Sequence, residues 1–163
     1  MLFDGTVGDN IACGDSRYST LQVIDAAKLA RAHKFISDLP QGMNTTIGRH
    51  GIQLDAGQAF RIGLARALLR EPSLMVLMEP KLPRRESATT QLDESLRLAA
   101  DGRTTLVLPS RIETLQHVSC VYVLHQGKLL TQGTHAELMD SCDLYRYLSY
   151  VRFDTLRMER QEA

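Results

Sequence analysis

The residues that could do chemistry are few and scattered. Asp55-Ala56-Gly57-Gln58 has the spacing of a capping box, which puts a carboxylate and an amide at the exposed N–H groups of a helix start. Such a start suits an anion, although an ordinary capped helix needs no ligand at all. Glu79 follows the apolar run Leu74 to Met78, and an acid at a strand end is placed as a general base would be. A lone acid there is more commonly just solvated. Ser110-Arg111 closes a second apolar run and offers a hydroxyl donor. Arg84-Arg85 could touch a phosphate, but a solvated basic pair is the commoner case. His33, His50, His117, His125 and His135 show neither i,i+4 pairing nor an H-E-x-x-H spacing, which argues against a metal site. Local sequence suggests no Ser/His/Asp or Cys/His constellation.

These residues need elements to hold them. Ser19-Thr20-Leu21-Gln22 is a capping-box spacing, and the apolar rhythm after it predicts a helix to about Ala32. Phe35, Ile36 and Leu39 suggest a short second helix closed by Pro40-Gln41-Gly42. A long helix opens at Asp55 and runs through Leu69. Beyond Pro72 the pattern changes. The unbroken runs Leu74 to Met78 and Thr104 to Leu108 read as strands covered on both faces, with a helix from about Glu86 to Ala100 between them. A short helical stretch through Ile112 and Leu115 comes next, then a hairpin around His125-Gln126-Gly127. Thr134-x-x-Glu137 caps another helix. A last one from about Leu144 carries Tyr145, Tyr147, Tyr150 and Phe153, either as a contact surface or as a buried face. Strand, helix, strand, helix predicts a parallel sheet with right-handed crossovers, an α/β fold.

Composition narrows the setting. The 163 residues are 44% hydrophobic and 23% charged, enough for one globular domain. Nineteen basic residues balance nineteen acidic ones, so no net charge draws the chain to nucleic acid or acidic lipid. No apolar run approaches the ~18 residues of a membrane span, and the opening Met1-Leu2-Phe3-Asp4-Gly5 does not read as a secretory signal. Cys13, Cys120 and Cys142 are odd in number and widely spaced, the usage of a reducing compartment. A soluble, cytoplasmic-side domain is the expectation.

Several segments then line up in one order. They are Leu54-Asp55-Ala56-Gly57-Gln58 opening a helix with Arg61 to Leu69, and Leu74 to Met78 with Glu79-Pro80. Ser110, Val123 to Lys128 and Gln132-Gly133-Thr134-His135 follow. The sequence resembles the nucleotide-binding domain of ABC transporters over nearly its whole length. Its opening, Leu2 to Ile11, is similar to the segment after the Q-loop in exporter-type members.

The resemblance carries expectations about fold, activity and partners. It implies part of a P-loop NTPase-like core with an α-helical signature subdomain: residues 1–70 the helical part, residues 71–163 the Walker B half with its C-terminal helices. The family holds ATP and magnesium, and pairs with a second nucleotide-binding domain and with membrane domains, which would place this chain at the membrane only peripherally. Residue by residue, however, the pattern departs. Asp55 and Ala56 stand where the signature Leu-Ser-Gly-Gly-Gln has Ser and its first Gly, while Gly57 and Gln58 remain. Met78 stands at the Walker B Asp position and Glu79 is kept. Ser110 replaces the switch histidine, and Arg85 a D-loop Asp. No G-x-x-x-x-G-K-[ST] occurs in the 163 residues. A truncated, degenerate ATP-binding subunit, unable to bind and hydrolyse ATP alone and at most a regulatory partner in transport, is the expected reading. A subunit completed in trans by a partner chain, or a non-functional gene remnant, is the alternative. An apolar strand at Leu74 to Leu77 with an unpaired edge is expected to make the chain prone to association.

Overall fold

The computed structural model describes residues 2–82 and 86–150. The chain divides into two compact units, Met1–Leu108 and Pro109–Ala163. The first opens with β1 (Gly5–Thr6) and α1 (Val7–Ala12), where Thr6 and Asp9 form a reciprocal cap. Next comes α2 (Thr20–Leu29), capped by Ser19 and Gln22 as the spacing predicts. It stops three residues short of the predicted Ala32. The reason is a Schellman ending: Arg31 sits in the left-handed region at φ 55°, its N–H donates to Lys28 O at 3.0 Å, and Ala32 N–H donates to Ala27 O at 2.8 Å. Neither glycine nor proline marks this stop.

The chain continues through α3 (His33–Ser37) and a 3-10 turn to β2 (Thr46–Ile47), which pairs antiparallel with β1. Gly48, at φ 108°, then lies against Asp4: a Cβ there would come within 2.9 Å of the Asp4 Cα. Gly48→Ala is therefore expected to cost about 2 kcal/mol, from a forbidden φ and an overpacked contact together. Urea unfolding checks this, and an unchanged midpoint would contradict it.

From there α4 (Ala56–Leu68) leads to β3 (Leu74–Met78), α5 (Glu86–Ala100) and β4 (Thr104–Leu108). The strands pair in parallel from Leu74↔Thr104 to Met78↔Leu108, joined by the α5 crossover that parallel pairing requires. Ile62, Leu64, Ala65 and Leu68 of α4 pack with Val7 and Ile11 of α1, Val23 and Ala27 of α2, and Met75 and Leu77 of β3. This is a mixed α/β arrangement with a parallel strand pair.

One strand expectation needs correcting. Unbroken apolar runs predicted strands covered on both faces, yet burial alternates along β3. Met75 and Leu77 are buried, whereas Leu74, Val76 and Met78 are 60%, 60% and 74% exposed, and Leu106 and Leu108 of β4 are about half exposed. Side chains of a strand alternate between faces, and the core described above meets only one of them. The other remains an open apolar face.

The second unit holds α6 (Ile112–Leu115), the hairpin β5 (Val121–His125) and β6 (Lys128–Gly133), then α7 (His135–Ser141) and α8 (Asp143–Tyr150). Gln126 and Gly127 both take positive φ, 49° and 76°, as a tight two-residue hairpin turn demands. Thr134 and Glu137 cap α7 reciprocally. A small core gathers Leu115, Val121, Val123, Leu138, Cys142 and Tyr145. The tyrosines divide: Tyr145 is buried with its hydroxyl 2.8 Å from His135 Nδ1, while Tyr147 and Tyr150 are exposed. Phe153 lies outside the described residues.

Candidate functional site

Asp55 is the N-cap of α4, with extended backbone at φ −69° and ψ 166°. Its Oδ1 accepts the Gln58 N–H at 2.8 Å, and Gln58 Oε1 accepts the Asp55 N–H at 3.1 Å. The carboxylate thus occupies the anion position at the helix start. A second anion about 4–5 Å from it would meet a repulsion on the order of 1–4 kcal/mol. Ala56 is exposed on the first turn, and Gly57 packs below it: a Cβ on Gly57 would lie 3.3 Å from both Asp55 Oδ1 and Leu82 Cδ2. Leu82, three residues past Glu79, therefore brings the segment after β3 against the start of α4.

Glu79 departs from the expectation of a solvated strand-end acid. It is buried, 4% exposed, and its N–H donates to Leu108 O at 3.0 Å, extending the β3–β4 ladder by one step. Met78 beside it projects from the open face at 74% exposure. Successive side chains of a strand point to opposite faces, so these two neighbours meet different surroundings. The residues present do not fit the magnesium site that the resemblance implies, because a hard cation takes oxygen ligands and Met78 offers a thioether. Among the described residues no group of three or more His, Cys, Asp or Glu could hold a metal ion.

Ser110 falls in the second unit, two residues past the end of β4, and is partly exposed. Arg84 and Arg85 lie outside the described residues. The structure thus brings together the start of α4 and the segment after β3. It describes Ser110 in a separate unit.

Sequence reading missed the roles of Arg61 and Arg66 of α4 and of Arg70 just past its end. Arg66 donates from Nε to Asn10 O at 2.6 Å and from Nη2 to Asn10 Oδ1 at 3.2 Å, with its guanidinium 5.4 Å from the centre of the Phe3 ring. Arg61 stacks at 4.8 Å over Phe35, and Arg70 at 5.6 Å over Tyr18. Each cation lies over an aromatic ring from an earlier segment, a contact that depends on tertiary packing. Burial lowers the Arg61 pKa from its ordinary value, with Asp55 opposing that shift. The spacing of Arg61 and Arg66 along α4, with Arg70 just past its end, was the available signal.

No family model matches the chain. Curated relatives do. The chain is 41% identical over 138 residues to ABC transporter B family member 19 of Arabidopsis thaliana, covering 85% of this chain and 11% of the relative. It is 40% identical over 150 residues to an ATP-dependent lipid A-core flippase of Albidiferax ferrireducens, covering 91% of this chain and 26% of the relative. Among solved structures, a bacterial Atm1-family ABC exporter with ATP bound matches at TM-score 0.77 and 34% identity, over 90% of this chain and 26% of that one. The chain therefore spans only about a tenth to a quarter of the length of these relatives. Sequence and fold agree that this chain is related to the nucleotide-binding domain of ABC exporters.

Proposed function

We propose that the chain corresponds to the part of an exporter nucleotide-binding domain that follows the P-loop, with a degenerate ATP site. Residues 1–70 act as the helical signature subdomain, and residues 71–163 as the Walker B half with its C-terminal helices. In this reading the chain neither binds nor hydrolyses ATP alone. It serves as a non-catalytic, regulatory partner in ATP-driven transport, on the cytoplasmic side and peripheral to the membrane. Its partners are a complete nucleotide-binding domain and the membrane domains of a transporter.

One observation carries the reading. The Asp55 carboxylate caps α4 at the point where the family's signature helix would meet a phosphate bound by the opposite subunit. Met78 at the Walker B Asp position and Ser110 at the switch-histidine position support it. Equilibrium dialysis with Mg·ATP tests it: no saturable binding to the purified chain is expected, and saturable binding would refute it.

The open face of β3 and β4 favours a second reading, completion in trans by a segment of another polypeptide. Five apolar side chains on one side of a parallel pair are the ordinary mark of a missing layer. Complementation with a P-loop-bearing fragment of a relative checks this. Co-purification without nucleotide is expected, and two freely separate species would rule it out.

A further inference from the structure

A groove of about 480 Å³ opens on the first unit, where Arg31, Lys34, Phe35 and Arg61 line it with Gln91 and Glu94. We infer that this groove binds a small phosphate monoester through Lys34 and Arg61, with Lys28 and Arg31 supplying further positive charge. It rests on charge, on unused donors and on a positioned arginine, and is independent of the nucleotide reading.

The charge is local. Lys28, Arg31, Lys34 and Arg61 line the groove against Asp38 and Glu94, a net of two positive charges in a chain whose formal charge is zero. Glu94 is already spent on Arg31, at 3.0 Å. Lys28 has an exposed partner, Asp25, at 3.0 Å, a pair that contributes little. Lys34 has no ion pair among the described residues. A phosphate monoester carries about −1.5 to −2 at neutral pH, which matches this surplus.

Arg61 is held in place rather than free to seek solvent. Its Nε donates to Gly57 O at 3.3 Å, its Nη1 donates to Arg31 O at 3.1 Å and to Gln91 Oε1 at 2.7 Å, and its plane lies over Phe35. Nη2 takes no partner among the described residues, so its two N–H groups remain for a ligand. A fixed, partly desolvated guanidinium loses little freedom on binding an anion.

Arg31 points the same way. The C′ position of a Schellman ending favours glycine, because a side chain at positive φ costs on the order of 1 kcal/mol. An arginine stands there instead, and its carbonyl receives Arg61 while its guanidinium ties Glu94. The volume lies within the roughly 300–1,000 Å³ of small-ligand sites, larger than a bare ion needs.

The test titrates glycerol 3-phosphate into the full chain, followed by amide NMR, with glycerol as the neutral control. Saturable shifts at Lys34 and Gln91, absent with glycerol, are expected, with Gln58 at the start of α4 unmoved. Lys34→Glu should weaken binding about tenfold or more. Lys34→Gln takes its place should the charge reversal fail to fold, with a smaller loss of the same sign. No saturable binding overturns the inference. So do shifts centred on Gln58, or an affinity unchanged by both variants.

Discussion

Asn10→Ala is expected to lower the unfolding free energy by about 3 kcal/mol. The side chain is fully buried and uses both ends. Its Nδ2 donates to Phe3 O at 2.9 Å and to Thr6 O at 3.0 Å. Its Oδ1 accepts Phe3 N–H at 3.0 Å and Arg66 Nη2 at 3.2 Å. Truncation leaves backbone groups without partners inside the protein, each costing about 1–3 kcal/mol, and strips one acceptor from Arg66. Because Phe3 is 42% exposed, water recovers part of the loss, which keeps the sum below that of four lost bonds. Urea unfolding of the variant and the parent at one pH measures the difference. A loss under about 1 kcal/mol would mean that the opening segment is not pinned to α4 in this way.

The second large effect concerns association. Val76→Lys combined with Leu106→Lys places two charges on the open face of the parallel pair, at positions 60% and 49% exposed. Neither side chain belongs to the core, so the unfolding midpoint should move by less than about 1 kcal/mol. The apolar patch and the strand edges beside it should lose their tendency to recruit other chains, since charge on a face or edge disfavours sheet pairing. Sedimentation velocity is expected to show the parent self-associating and the variant monomeric. The same variant should also lose pairing with a P-loop-bearing fragment. Equal sedimentation of the two proteins would show that the face is not an association surface.

What sequence revealed of the fold was local. Three of the four capping boxes among the described residues, at Ser19, Asp55 and Thr134, were legible because each is decided within four residues and ends in Glu or Gln, whereas that at Thr6 uses Asp9. The strands and the hairpin were legible from apolar runs and the Gln126-Gly127 turn. The end of α2 was not, because Arg31 takes a conformation that residue preferences assign to glycine. Nor were β1 and β2 legible. They are two residues each, and their pairing joins segments some forty residues apart.

The candidate site was legible in register but not in exposure. An apolar run fixes a strand without saying how many layers cover it, so the open face at Val76 and the burial of Glu79 both needed the structure. Asp55 behaved as its side-chain chemistry required, as a cap. The cationic groove draws on α2, α3, α4 and α5 and on the turn after α2, and no single window of sequence contains it.

By itself this chain is expected not to turn over ATP. Phosphate release from Mg·ATP by the purified chain, measured beside Glu79→Gln and a no-protein blank, checks this. All three should give the same rate. Steady turnover by the parent that Glu79→Gln abolishes would contradict the account, because it would show a working general base where the Asp55 cap and the Met78 thioether argue against a complete site.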